Sequence, residues 1–199
     1  MITRKYNSEQ EWLDSRMGRI TGSKLGKLFS KRDKKPLSGY YELIAERVAL
    51  PPSDENPMDR GHRLEEEAIA RFSEETGKQV DASLVTWHRD DDENICISPD
   101  GFIGEAEAVE VKCLASAKHI EAWLTKEIPS DYEMQVLQYF IVNEKLETLY
   151  FVFYDPRMPK DLFHHTVSRE SVQSKVDEYL ELERKTLEEI KKIEEELTF

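Results

Sequence analysis

Asp100, Glu110 and Lys112 stand within ISPDGFIGEAEAVEVKC, on segments whose other residues suit short strands. Glu110 and Lys112 are two apart, so a strand points both to one face and sends Val109 and Val111 to the other. Asp100 follows Pro99 at the end of the preceding strand, and a hairpin through GEAEA can bring it beside Glu110. Charges on a buried strand are costly unless they are paired, hydrogen-bonded or bound to metal. Two carboxylates within a few ångströms push one of the pair towards protonation. A Mg²⁺ ion resolves that conflict, since it takes oxygen ligands, keeps several waters and uses one or two carboxylates plus substrate phosphate. A neighbouring lysine can orient or help deprotonate an attacking water and balance charge in the transition state. Asp, then Glu-x-Lys, therefore suits metal-dependent phosphodiester hydrolysis. The bare pattern is weak, and most chance matches would be surface strands. What raises it here is the apolar remainder of the strand and the polar groups that recur elsewhere.

Three further stretches supply such groups. GHRLEEE places Glu65 early in a helix whose apolar face is Leu64, Ala68 and Phe72, although part of the Glu65–Glu67 run is expected to be a solvated acidic face. In YEMQVLQY the residues Gln135, Gln138 and Tyr139 share a helix face at i, i+3, i+4. Amides in an otherwise apolar helix either bond the backbone or line a site. In RMGRITGS, Arg16 and Ser23 bracket a turn into a helix N-terminus, where phosphate binds readily, and capping alone would also account for Ser23. The five histidines make no metal-ligand spacing and read as surface or edge-strand residues, and Cys113 reads as a small buried residue.

The elements that must position these groups follow from periodicity and punctuation. Residues 40–50 and 58–76 read as helices, stopped by Pro51-Pro52 and by Gly77 respectively. SLVTWH, NICIS, GFI and AVEVKC read as short strands, HIEAWL as helix, and Ser130–Glu133 as a capping box opening the helix of Gln135. LYFVFY and FHHTVS are strands, the second at an edge, and an acidic amphipathic helix runs from Glu170 to Leu197. This order describes a single α/β domain.

Composition bounds the rest. The 199 residues, 39% apolar and 35% charged, suffice for one domain with a solvated exterior. No apolar run approaches a membrane span, and MITRKYNSEQ lacks an h-region. Two cysteines are too few for a disulfide framework or a cysteine-held iron–sulfur cluster, which points to a reducing, cytoplasmic setting. The net charge of −13 argues against a polyanionic partner, yet residues 1–35 carry ten Lys/Arg against four acids. A basic segment near an acidic centre could guide phosphate towards a carboxylate cluster that needs a cation.

Taken together, EWLDSRMGRITGSK, RGHRLEEEAIARF, SPDGF…VEVKC, QVLQY and FYDPRM resemble the lambda exonuclease / YqaJ-like viral recombinase family of the PD-(D/E)XK superfamily. The resemblance spans most of the chain, and the order of the blocks is more specific than any one of them. It implies a restriction-endonuclease-like core, a central mixed β-sheet flanked by helices, as one exonuclease domain over residues 1–199. It implies a 5′→3′ exonuclease that degrades one strand of linear double-stranded DNA without ATP and leaves a 3′ tail for single-strand annealing. Asp100 and Glu110 would bind Mg²⁺ (Mn²⁺ as a substitute), with the carbonyl of Val111 a further ligand and Glu65 joining through a water or a second metal. Lys112 would act on the nucleophilic water, and Gln135 would position the lysine or the nucleophile. Arg16 and Ser23 would hold the 5′ phosphate, the basic loop Lys31, Arg32, Lys34, Lys35 would meet the incoming strand, and Met58 would be an apolar wedge at the terminal base pair. Partners would be double-stranded DNA ends, other copies in a ring-shaped homotrimer and a single-strand annealing protein, in the host cytoplasm for a phage or prophage product. The family often shows Q-x-Q on the late helix, so the spacing of Gln135 and Gln138 leaves open which one faces the site. The alternatives are another PD-(D/E)XK nuclease, such as an endonuclease or repair nuclease, and a DNA-end-binding recombination adaptor without catalysis.

Overall fold

The computed structural model describes residues 27–28, 30, 32–33, 35–50 and 57–197. Its elements run α1 (Ser38–Val48), α2 (Pro57–Thr76), β1 (Trp87–His88), β2 (Cys96–Ile97), β3 (Gly101–Ile103), β4 (Glu107–Lys112) and α3 (Ser116–Thr125). A 3-10 turn at Ser130–Tyr132 leads into α4 (Glu133–Val142), followed by β5 (Thr148–Tyr154), β6 (Leu162–Ser168) and α5 (Arg169–Leu197). Strands β3-β4-β5-β6, in that order, form a central mixed sheet flanked by helices, and β1 and β2 form a separate antiparallel pair. No described helix is long and apolar enough to cross a membrane.

The sheet order follows from side-chain burial. In β5 the run Phe151–Tyr154 is buried on both faces, as an inner strand requires, whereas β6 starts buried and ends half-exposed, as an edge strand does. Burying side chains such as Leu149, Phe151 and Phe153 stabilises the sheet by about 1.5–3 kcal/mol each. Gly77 closes α2 at φ +70°, the left-handed position that its lack of a Cβ allows. The capping box expected at Ser130–Glu133 does not form. Pro129 is the N-cap of the 3-10 turn and makes no side-chain cap bond, so Ser130 already lies inside the turn.

The chain folds into two compact units, each gathered from separated segments. The first takes in the described residues up to Leu64, with Cys113–Lys126 and Phe153–Phe163. There α1 packs on α3, and Phe153 stacks on Phe163 at 4.9 Å. Asp155 is its polar anchor. It receives Arg157 Nε at 2.8 Å, Arg157 Nη2 at 2.9 Å, the Arg157 N–H at 3.1 Å and the Ser116 hydroxyl. His119, expected at the surface, is buried here with its Nε2 3.0 Å from the Lys160 carbonyl, and burial lowers its pKa. The helix begins at Ser116 rather than at His119, and its buried residues are Ser116, His119, Ile120 and Ala122. Cys113 is half-buried.

The second unit holds Glu65–Lys112, Glu127–Val152 and the described residues from His164 on. In it α4 packs against α5 and β2, and the C-terminal carbonyls of α4 are taken by two arginines. Arg169 donates to Phe140 O at 2.9 Å and Asn143 O at 2.6 Å, and Arg89 donates to Ile141 O. These bonds satisfy groups that a helix end leaves without partners, and they fix where α4 ends.

Candidate functional site

Asp100, Glu110, Lys112, Gln135 and Glu65 all lie in the second unit. Antiparallel β3 and β4 pair Gly101 with Val109, which places Asp100 across the register from Glu110. The glycine after Asp100 has a steric reason: a Cβ on Gly101 would meet Val80 Cγ1 at 2.5 Å. The backbone of Asp81 bridges Phe102 there, with N–H to carbonyl distances of 2.9 and 3.0 Å. The start of β3 is thus clamped, and Asp100 with it.

Asp100 accepts the Val111 N–H at 2.7 Å. In an extended strand the carbonyl of a residue points to the same side as its N–H, so Val111 O also faces the Asp100 side. Glu110 is 2% exposed and holds three donors. Gln135 Nε2 reaches Oε1 at 2.6 Å, Lys112 Nζ reaches the same oxygen at 2.6 Å, and Tyr139 OH reaches Oε2 at 2.5 Å. A carboxylate offers about four lone-pair sites, so Glu110 keeps capacity for one more partner. Lys112 and Glu110 share their face as the strand alternation requires, and the opposite face carries buried Val109 and Val111.

The electrostatics are unbalanced at Asp100. Burial pushes its carboxyl up to about 7, and the charges of Glu110 and Glu65 push the same way, against the Val111 N–H and Lys112. Burial and the Glu110 carboxylate also hold the Tyr139 hydroxyl far above the ordinary phenol range, so it remains a donor. Glu65 is half-buried on α2, one residue past Leu64 and on the helix that buries Ala68 and Phe72.

Gln138 points elsewhere, donating to the Cys96 carbonyl at 3.4 Å, so Gln135 is the glutamine at the site. Tyr139 received no role from the sequence, although its position four residues after Gln135 on one helix face was the available signal. Trp87 packs edge-on against Tyr139 at 6.3 Å and against Phe102 at 5.8 Å, which ties α4 to β1 and β3. Arg16, Ser23, Lys31 and Lys34 lie outside the described residues. Met58 is in the first turn of α2, with its side chain likewise outside the description. Arg32 and Lys35 are exposed on the turn of the basic loop, where Lys35 pairs with Asp33 at 3.8 Å.

The donor set could hold a divalent cation. Among the described residues no three acid, histidine or cysteine side chains converge as a ready-made metal cluster. Asp100 and Glu110 instead face each other as two hard oxygen donors with a repulsion that a cation would cancel, and Glu65 adds to it. That fits an ion held by one or two carboxylates, a backbone carbonyl and water.

Residues 11–146 match the model of the YqaJ-like viral recombinase domain, more than half of the chain. The chain belongs to the YqaJ-like viral recombinase family. The matched span of this family covers Asp100, Glu110, Lys112, Gln135, Tyr139 and Glu65, and stops before Asp155 and α5. The fold is similar to that of an alkaline exonuclease from Laribacter hongkongensis, with a TM-score of 0.56 and 26% identity over 95% of this chain and 100% of that one. A complex of that exonuclease with dAMP matches to the same degree. A phage-related exonuclease from Haemophilus somnus 129PT aligns with a TM-score of 0.44 and 13% identity, over 84% of this chain and 87% of the other. No curated protein matches the chain.

Proposed function

We propose that this YqaJ-like protein is a metal-dependent DNA exonuclease that digests one strand of linear duplex in the 5′→3′ direction. The observation that carries the reading is the buried Glu110, shared by Lys112, Gln135 and Tyr139, with the under-compensated Asp100 across the strand register. The family match and the resemblance to an alkaline exonuclease support the same chemistry.

Mg²⁺ bound at Asp100, Glu110 and the Val111 carbonyl would supply Lewis-acid stabilisation of charge on the scissile phosphate. The chain's own residues do the positioning. Gln135 and Tyr139 fix both oxygens of Glu110, so that carboxylate enters the reaction already oriented and needs little reorganisation. Lys112, with its side chain 21% exposed, places an ammonium where it can steer the attacking water and balance charge as the bond breaks. Glu65 keeps the centre acidic and so favours cation loading. Arg16 and Ser23 take the terminal 5′ phosphate, Lys31 and Arg32 meet the incoming strand, and Met58 splits the terminal base pair. The working form is a homotrimer around duplex DNA, paired with a single-strand annealing protein in the host cytoplasm.

Timed digestion of end-labelled linear duplex, with and without a 5′ phosphate and with Mg²⁺, Mn²⁺ or chelator, tests this reading. Release of labelled nucleotides from the 5′-labelled strand first, dependent on Mg²⁺ and on the phosphate, is the expected result. Cutting of a covalently closed circle would replace the exonuclease with an endonuclease. Failure to degrade any duplex in either metal would leave only the DNA-end-binding reading.

A further inference from the structure

Tyr132 has no part in the chemistry described so far, yet its ring lies against the reacting end of Lys112. The Lys112 ammonium sits 5.0 Å from the centroid of the Tyr132 ring, within the range of a cation–π contact. The ring also packs against the fully buried Phe151, at 5.6 Å and 41°. Tyr132 closes the 3-10 turn that feeds α4, three residues before Gln135 and seven before Tyr139. One helical face therefore serves three successive contacts: the Lys112 ammonium, Glu110 Oε1 and Glu110 Oε2.

The two anchors of Lys112 differ in kind. Glu110 Oε1, at 2.6 Å, is an anion that other cations compete for. The face of an aromatic ring attracts an ammonium through its quadrupole and is a poor ligand for a hard divalent cation, so that contact survives such competition. A flexible lysine that lost its carboxylate partner without a second contact would be free to swing towards solvent, and Lys112 already has a 21% exposed side chain.

We propose that Tyr132 is a positioning residue for Lys112, its ring holding the ammonium over the site when Glu110 is drawn to another cation. The proposal rests on the nuclease reading above for its functional half, while the contact itself can be tested without any DNA. In the first arm, amine acylation of Lys112 in the metal-free protein is followed by mass spectrometry in wild type, Tyr132→Phe and Tyr132→Leu. Phenylalanine keeps the ring and should leave the labelling rate as in wild type, whereas leucine should raise it several-fold. Equal labelling in all three proteins overturns the anchor, whatever the enzyme's activity.

The second arm measures single-turnover digestion and duplex binding with Mg²⁺, together with the unfolding midpoint. Loss of a partly desolvated cation–π contact predicts about a tenfold fall in kcat for Tyr132→Leu, with KM within about twofold, and near-complete rescue by Tyr132→Phe. A rise in KM with kcat intact, or an equal fall in the phenylalanine variant, would overturn the positioning role. Wild-type protein that digests nothing would instead count against the nuclease reading, and the labelling arm would still decide the contact.

Discussion

Asp155 in the first unit and Asp100 in the second are aspartates withdrawn from solvent that neighbour a basic side chain, Arg157 in one case and Lys112 in the other. Asp155 is matched on both oxygens by Arg157 and Ser116. Burial alone would raise its pKa, but those bonds outweigh it and hold the carboxyl below the usual range. Asp100 accepts a backbone N–H, faces Glu110 and feels Glu65, and is pushed up to about 7. The nearest cation, Lys112, is bonded to Glu110 instead. A fold able to satisfy one buried aspartate so fully has left another short of positive charge, and the shortage sits in the part of the chain that the family match covers. Compensation is what a structural acid calls for, and its absence at Asp100 is what the proposed metal-binding role calls for.

The comparison breaks most visibly in activity. Lys112→Ala and Asp100→Asn should each lower the rate of duplex digestion by about 10³-fold, the scale of a lost acid–base or charge-stabilising group. Duplex binding measured in parallel should survive in Lys112→Ala. Retention of full activity in either variant would remove the catalytic assignment.

Asp155→Ala should fail in the other currency. It strips a half-buried guanidinium and the Ser116 hydroxyl of their acceptor, which destabilises by about 2–3 kcal/mol. Chemical denaturation should report this as a lower midpoint, while the digestion rate per folded molecule stays near that of wild type. A large loss of activity with normal stability would place Asp155 among the functional acids and erase the contrast.

How much of this contrast could be read from the chain differs between its two halves. The Asp100–Glu110–Lys112 arrangement was legible because a two-residue period and a short hairpin fix facing and register locally, and both hold in β3 and β4. Asp155 was visible only within a block, since Ser116 comes from a helix 39 residues earlier and no local pattern announces it. The same holds for Arg169, whose bonds to α4 carbonyls span 26 and 29 residues. The two interleaved units are defined by contacts between distant segments, which periodicity does not report. Helix starts differ from the pattern by one residue at the turn before α4, which Pro129 caps, and by three at α3, which opens at Ser116 and buries His119.

The pH dependence sharpens the comparison at smaller scale. Asp100 has its folded pKa raised from 3.8 to about 7, so its contribution to stability is complete below about pH 4 and is lost as pH rises through 7. Asp155 has a lowered folded pKa, so its contribution is present above about pH 4 and is lost as pH falls below that. Metal-free Asp100→Asn should therefore melt higher than wild type at pH 8, by about 3–5 °C, with the gap closing towards pH 4. Mg²⁺ should raise the wild-type midpoint at pH 8 and leave that of the variant nearly unmoved. The opposite pH trend would mean that Asp100 is compensated after all.

The smallest effect separates two glutamines three residues apart on α4. Gln135 donates to a buried, charged acceptor at 2.6 Å, and removing such a bond costs about 1.5–3 kcal/mol. If Glu110 must hold its orientation for reaction, Gln135→Ala should slow single-turnover digestion by about tenfold and leave KM little changed. Gln138 is half-buried, makes a long 3.4 Å contact to the Cys96 carbonyl and hydrogen-bonds Glu183 of α5, so its bonds serve the packing of α4 and not Glu110. Gln138→Ala should therefore remain within about twofold of wild type in rate, with its cost of about 1 kcal/mol falling on stability. Helix spacing alone cannot make this distinction, because i and i+3 look out on one side. The distinction comes from what stands opposite, Glu110 of the charged strand for one residue and the Cys96 carbonyl with Glu183 of α5 for the other. Equal losses for the two variants would show that α4 presents a general polar face to its surroundings rather than one amide aimed at Glu110.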